Sequence, residues 1–150
     1  MKKITILIVM FFAAVAGNAQ LNPVTWSFSA VKLSDKMYEV HMKATIQPGW
    51  HLYSQIQPKD AIAIPTAFIF NPNPLISRDG KVKELGKMEV MNDRELGVSA
   101  NQYSLMVDFV QKVKLKSGVK TNLTGNVEYQ TCDDHKCLPP KTVLISVEIK

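Results

Sequence analysis

Two cysteines with polar residues between them are the part of this sequence best suited to chemistry. They are Cys132 and Cys137, the only cysteines in the chain. On an extended strand their Cα atoms would be roughly 16 Å apart, which is beyond the reach of a disulfide. The four polar residues between them permit a turn that would bring the two sulfurs together. Pro139 and Pro140 follow and stiffen the exit from that turn.

Several interpretations of the cysteine pair remain open at this point. A disulfide closing so short a loop removes only about 2 kcal/mol of unfolded-state entropy, which a domain of this size does not need. Cys132, His135 and Cys137 offer three ligands for zinc or copper, although the usual structural zinc pattern needs a second ligand pair. The pair is therefore a redox dithiol, a structural cross-link, or a metal site. In a further alternative, the disulfide is incidental to a binding module.

The N-terminus has the features of a Sec-type secretory signal peptide. Two lysines precede an apolar run over 4–17, and Ala19 is a small residue suited to cleavage. We expect a signal peptide over 1–19 and a single mature domain over 20–150. The apolar run is too short for a comfortable membrane span, so we expect none after cleavage. The protein would then be periplasmic or otherwise exported, where paired cysteines usually oxidise to a disulfide.

The charge distribution argues against a nucleic-acid partner. Two basic residues lie in the leader, so 16 basic residues face 13 acidic ones in the mature chain. The longest basic cluster, Lys112, Lys114 and Lys116, alternates with apolar residues and is typical of the solvated face of a strand.

Alternation with a period of two predicts an all-β fold. Apolar and polar residues alternate over four segments: 37–46, 103–115, 121–130 and 142–149. Segment 24–33 begins the same way and changes phase at Val31 and Leu33, which suggests a bulge. Residues 66–70 form a short apolar run. About seven short strands separated by turn residues predict an immunoglobulin-like antiparallel β-sandwich.

Two stretches, 51–65 and 86–101, do not fit the strand pattern, and we expect them to be long irregular loops. Loops on a rigid scaffold often carry function.

Three segments together resemble a known family. The Tyr-Gln-x-Cys and Cys-x-Pro-Pro motifs in 129–140 resemble the active-site segment of the N-terminal periplasmic domain of the thiol:disulfide interchange protein DsbD. The Pro-Gly-Trp-His-Leu-Tyr segment over 48–53 is similar to an aromatic segment of that domain. Residues 93–97 are similar to its cap loop. The resemblance spans roughly 24–149 and implies an immunoglobulin-like sandwich, in agreement with the strand pattern.

The resemblance also implies roles for individual residues. Cys137 would form the mixed disulfide with a partner, and Cys132 would resolve it. Leu96 would occupy the cap position that shields the pair. His51 and Tyr53, two apart on a strand, would both point toward the site.

Features beside the cysteines modify this expectation. His135, next to Lys136, would favour the thiolate of Cys137. Four residues separate the cysteines, one fewer than in the best-known family members. The cap position holds Leu rather than an aromatic residue, which would shield the sulfurs less completely.

The resemblance implies a protein-disulfide reductase or interchange component that needs no cofactor. Electrons would come from the thioredoxin-like domain of a membrane electron transporter. They would pass to periplasmic thiol–disulfide proteins, including those of cytochrome c biogenesis. We expect a detached shuttle fed by a separate partner.

Overall fold

Antiparallel strands, without a helix, make up the part of the chain that this computed structural model describes, residues 21–94 and 97–150. The predicted signal peptide and Leu96 lie outside those residues. The strands are β1 (Val24–Lys32), β2 (Met37–Ile46), β3 (His51–Tyr53), β4 (Ala67–Phe70), β5 (Ile76–Leu85), β6 (Met88–Asp93), β7 (Val98–Ser104), β8 (Met106–Leu115), β9 (Thr121–Tyr129), β10 (Thr131–Cys132) and β11 (Lys141–Ile149).

Two sheets enclose the main core. The first sheet has the order β1-β2-β8-β5, and the three-stranded sheet has the order β11-β9-β4. Alternate residues of these strands point inward, as the period-two pattern predicts. Fully buried side chains from both sheets meet in one cluster that includes Val40, Met42, Phe109, Val127 and Ile149. The predicted all-β antiparallel sandwich is confirmed.

A third sheet, which we call the site sheet, has the order β10-β3-β7-β6. From its inner face, Leu52 and Tyr103 pack into the main core. From its outer face, Tyr53, Ala100 and Cys132 form a separate small cluster. The site sheet therefore connects the core of the sandwich to the cysteine pair.

The strand predicted over 103–115 is interrupted at Leu105. This residue has a φ of 65°, which is rare for a side chain other than glycine, and it is exposed rather than on the core face. The backbone N–H of Ile46 donates to the Leu105 carbonyl at 2.7 Å. The chain passes here from β7 of the site sheet to β8 of the first sheet. Because apolar and polar residues keep alternating across this point, the sequence pattern predicted a single strand.

The stretch over 86–101 was wrongly predicted to be an irregular loop. It contains β6 and most of β7, which pair from Met88 with Tyr103 to Asp93 with Val98. The burial of β6 alternates only between exposed and intermediate. Its pattern is therefore too polar to be read as a strand from the sequence.

The bulge predicted near Val31 and Leu33 was also wrong. Strand β1 pairs with β2 without a register shift from Val24 to Lys32, and both apolar side chains are simply exposed. A register shift does occur in β5, between Asp79 and Lys83. Within the described chain, no helix is long and apolar enough to cross a membrane.

Candidate functional site

Cys132 and Cys137 form a disulfide at one edge of the site sheet. Cys132 lies at the end of β10, where it pairs with His51 of β3. The chain then turns back, so that the two cysteine Cα atoms lie 4.0 Å apart. Two backbone hydrogen bonds close this turn, from Asp133 N to Lys136 O and from Leu138 N to Thr131 O, each at 2.9 Å. The fold-back that a disulfide requires is thus built into the backbone.

The side chain of Asp133 holds the turn between the cysteines. Its Oδ1 accepts hydrogen bonds from the backbone N–H groups of His135 and Lys136, each at 2.8 Å. These bonds, led by that from His135, lower the pKa of the Asp133 carboxyl. An Asp that accepts bonds from the next residues is a usual way to stabilise a turn. We call residues 133–136 the inter-cysteine turn.

The two cysteines differ in exposure. Cys132 is 4% exposed, whereas Cys137 belongs to the exposed residues. A thiolate attacking a disulfide must reach one sulfur along an open path. Cys137 is therefore the more accessible of the two residues, while Cys132 is covered by the protein.

Side chains from four parts of the chain surround the buried cysteine. Tyr53 of β3 and Ala100 of β7 are buried with Cys132, and Met91 of β6 and Ala63 pack against them. Burial raises the pKa of the Tyr53 phenol. A cavity of about 410 Å³ opens beside this cluster, lined by both cysteines and by the inter-cysteine turn.

The segment over 54–66 is an irregular loop, as predicted for most of it, and it carries Ala63 to the site. Glu84 anchors its beginning, accepting hydrogen bonds from Ser54 Oγ and from the backbone N–H of Gln55, both at 2.7 Å. Tyr103 donates to the same carboxylate at 2.6 Å. Burial and this hydrogen bond to Glu84 raise the pKa of Tyr103.

A second anchor holds the 54–66 loop against β7. Ser99 Oγ lies 2.9 Å from both carboxylate oxygens of Asp60. Gln57 donates to the Asn101 carbonyl at 2.7 Å and accepts from the Asn101 N–H at 3.0 Å. The loop is irregular in shape but fixed in place, because Ser54, Gln55, Gln57 and Asp60 bond to the strands beneath it.

The structure brings together five of the six residues selected from the sequence. Cys132, Cys137, His51 and Tyr53 meet at the edge of the site sheet. His135 lies in the inter-cysteine turn, where it is exposed and its backbone N–H bonds to Asp133. The cap role of Leu96 stays a prediction.

Sequence reasoning missed Ala63 and Met91 beside Cys132. It also missed Ser104, whose Oγ lies 3.0 Å from His51 Nδ1, and Glu89, which accepts a hydrogen bond from Ser104 at 2.8 Å. Met91 and Glu89 are two apart on β6, and an alternating reading of 86–101 would have placed them on one face. Ala63 and Ser104 carried no signal, because only the tertiary fold brings Ala63 to Cys132 and Ser104 to His51.

The described residues contain no arrangement of ligands that supports a metal site. No group of three or more His, Cys, Asp or Glu side chains there is placed to hold a metal ion. The disulfide also uses the two sulfurs that the Cys–His–Cys set would supply as thiolates.

Comparison with known proteins gives a consistent result. A family model described as "Thiol:disulfide interchange protein DsbD, N-terminal" matches residues 19–149. The thiol:disulfide interchange protein DsbD of Actinobacillus pleuropneumoniae serotype 5b (strain L20) is 29% identical over 126 residues, covering 82% of this chain. The match covers only 18% of that protein, so this chain spans a small part of the relative's length.

Two solved structures from Neisseria meningitidis share the fold. The reduced DsbD N-terminal domain superposes with a TM-score of 0.54 at 18% identity, covering 86% of this chain and 90% of that domain. The complex between the DsbD and PilB N-terminal domains gives a TM-score of 0.50 at 16% identity, covering 86% and 88%. At these identities the likeness establishes the fold alone.

Proposed function

This chain belongs to the family of DsbD N-terminal domains, and we propose that it exchanges disulfides with partner proteins through Cys132 and Cys137. The observation that carries the proposal is a disulfide whose two ends differ in exposure and whose turn is held by its own hydrogen bonds. Such a pair offers one sulfur to a partner and keeps the other for resolution.

In the reducing half of the cycle, the protein accepts two electrons. A partner thiolate attacks Cys137 Sγ, forms a mixed disulfide and expels Cys132 as a thiolate, which takes the electron pair of the broken bond and then a proton. The partner's second thiol attacks the mixed disulfide. This step releases the partner as a disulfide and leaves both cysteines of this protein as thiols.

In the delivering half, the reduced pair passes the electrons on. The Cys137 thiolate attacks a disulfide of an exported protein, and Cys132 then resolves the mixed disulfide. The substrate leaves as a dithiol, and the bond between Cys132 and Cys137 is restored. No cofactor is needed, since the two sulfurs carry both electrons.

For partners, we propose the thioredoxin-like domain of a membrane electron transporter as donor and periplasmic thiol–disulfide proteins as acceptors. The solved complex of a family member with the PilB N-terminal domain supports a protein partner at this fold. A reduced thioredoxin-fold protein should reduce this disulfide much faster than dithiothreitol does at the same thiol concentration. Equal rates would argue against a docked protein partner.

For location, we propose export with removal of residues 1–19, which leaves a mature domain over 20–150. Expression of the full chain in a bacterium and N-terminal sequencing of the exported product tests this. A mature protein that begins at Gln20 is expected, and an intact N-terminus in the membrane fraction would contradict it.

The division of labour between the cysteines can be tested with single variants and oxidised glutathione. Cys132→Ser should accumulate a stable glutathione adduct on Cys137, because no second thiol resolves it. Cys137→Ser should react much more slowly, since its remaining thiol is buried. Mass spectrometry follows both. Equal adduct formation in the two variants would contradict the assignment, and no adduct in either would contradict the exchange function.

A further inference from the structure

His51 lies directly opposite the buried cysteine. The β3–β10 ladder pairs His51 with Cys132, and side chains of directly paired residues project from the same face with Cβ atoms about 5 Å apart. The His51 side chain is 21% exposed, so its ring is largely held by the protein. An imidazole is thus placed beside the sulfur that leaves when a partner attacks Cys137.

A chain of hydrogen bonds fixes which ring nitrogen carries the hydrogen. The Ser104 hydroxyl donates to Glu89 Oε2 at 2.8 Å and therefore has no second hydrogen for His51. Ser104 Oγ also lies 3.0 Å from His51 Nδ1, so Nδ1 is the donor in that contact. The other nitrogen, Nε2, faces the inter-cysteine turn and lies 3.7 Å from Asp134 Oδ1.

We propose that His51 assists disulfide exchange by electrostatic stabilisation of the leaving Cys132 thiolate, an inference that rests on the proposed function. Glu89 and Ser104 hold the ring, and Nε2, when protonated, brings a positive charge to Asp134 and to the departing Cys132 thiolate. The S–S electron pair goes to Cys132 Sγ as the attacking thiolate bonds to Cys137. A positive charge beside that sulfur makes Cys132 a better leaving group.

The charged and titratable groups that face His51 come from three elements. Asp134 approaches from the inter-cysteine turn, Glu89 approaches from β6 through Ser104, and Cys132 lies opposite on β10. The assistance requires the protonated ring, whose positive charge is attracted to these groups when they are ionised. Because histidine as a residue type changes its charge between pH 8 and 5, the assistance should increase as the pH falls over that range.

The chain contains a matched control in His41. Its side chain is 25% exposed, and its Nδ1 lies 2.8 Å from Asp108 Oδ2. Like His51, it is a partly buried strand histidine next to a carboxylate. Its neighbours across β1 and β8, however, are Ser29 and Val110, so it has no sulfur beside it. A general effect of replacing a histidine should appear in both His51→Gln and His41→Gln. The proposed effect should appear in His51→Gln alone.

The experiment measures the reduction rate of the mature protein by excess dithiothreitol at several pH values between 5 and 8. Variants His51→Gln, His41→Gln and Ser104→Ala are each compared with wild type at the same pH, which removes the pH dependence of the reductant. His51→Gln should be slower by about threefold to tenfold at pH 5 and close to wild type at pH 8. His41→Gln should match wild type throughout.

Ser104→Ala tests the role of His51 without replacing it. It keeps His51 and removes the hydroxyl that orients the ring, so it should show a smaller slowing with the same pH trend, even if His51→Gln does not fold. A slowing by His51→Gln that is equal at every pH, or rates equal to those of His41→Gln, would overturn the proposal. A wild-type disulfide that resists dithiothreitol would instead overturn the exchange function on which the proposal rests.

Discussion

The main core and the outer face of the site sheet are built on different principles. The core joins side chains of the first and three-stranded sheets, most of them fully buried and apolar. On the outer face of the site sheet, Tyr53, Ala100 and Cys132 form a small buried cluster among the described residues. The surroundings of that cluster are fixed mainly by hydrogen bonds, such as those of Glu84, Asp60 and Asp133.

The contrast suggests that fold stability and site reactivity can vary separately. Burial of apolar area is the dominant favourable contribution to folding, and the main core is by far the larger of the two apolar clusters in the described residues. Hydrogen bonds contribute less net free energy but set position and direction. A change of redox state at the cysteines should therefore leave the sandwich intact, as repeated cycles of exchange require.

The largest expected effect comes from the core. Phe109 is fully buried, with its ring centroid 5.0 Å from that of Phe68 and 5.8 Å from that of Trp26. Phe109→Ala should lower the free energy of unfolding by about 3–5 kcal/mol. Met91→Ala, beside the partly exposed site, should cost about 1 kcal/mol. Urea unfolding measures both, and equal losses would remove the distinction between the two regions.

Reduction of the disulfide should have an intermediate effect. Because the cross-link closes a short loop, opening it should lower the free energy of unfolding by about 2 kcal/mol. Urea unfolding of the mature protein with and without dithiothreitol gives this difference. A loss above about 4 kcal/mol would mean that the sandwich depends on the cross-link, contrary to the separation of fold and site.

Loss of the Glu84 anchor should cost less and act locally. Glu84→Gln retains the size of the side chain but puts an amide where a carboxylate accepts from Ser54, Gln55 and Tyr103. This should lower the free energy of unfolding by about 1–2 kcal/mol. Proteolysis within 54–66 should become faster, and so should alkylation of the reduced cysteines. The control is Glu39→Gln on β2, where the ion pair with Lys112 at 3.7 Å is worth little. Similar proteolysis of the two variants would argue against an anchoring role.

The smallest effect concerns the pH response of the inter-cysteine turn. The lowered pKa of Asp133 means that its charged form stabilises the turn. That contribution is complete above the unfolded value near 3.9 and is lost as the pH falls through the lower folded value. NMR amide shifts of His135 and Lys136 should titrate with a midpoint below about 3.9, and this titration should vanish in Asp133→Asn. A midpoint at or above the ordinary value would contradict the turn's dependence on this carboxylate.

The same contrast explains which parts of the fold could be predicted from sequence. Strands β2, β9 and β11 each cover a buried core on one side, so apolar residues alternate along them and the predicted ranges agree closely. Strand β6 has only exposed and half-buried residues, although Met91 packs against the small cluster, so its alternation is too weak to predict a strand. The change of sheet at Leu105 depends on a positive φ, which cannot be predicted from a leucine in the sequence.

The site was predictable where its residues are close in sequence. The cysteines and the residues between them form one segment, and His51 with Tyr53 follows the period of a strand. Ser104 and Glu89 come from positions far from His51 in the chain, and the pairing of β3 with β7 and β7 with β6 brings them to it. Ala63 reaches the small cluster through the 54–66 loop. Nothing local in the sequence encodes that pairing, so the chain from Glu89 to His51 required the structure.

The most direct test of the account is the equilibrium reduction potential of the Cys132–Cys137 pair, measured in the mature protein by redox titration followed by alkylation. A disulfide that relays electrons should have a potential of roughly −120 to −270 mV, the range of known dithiol exchangers. A value below about −300 mV is typical of a structural disulfide. That result would contradict the exchange function and favour a β-sandwich binding module in which the disulfide is only a cross-link.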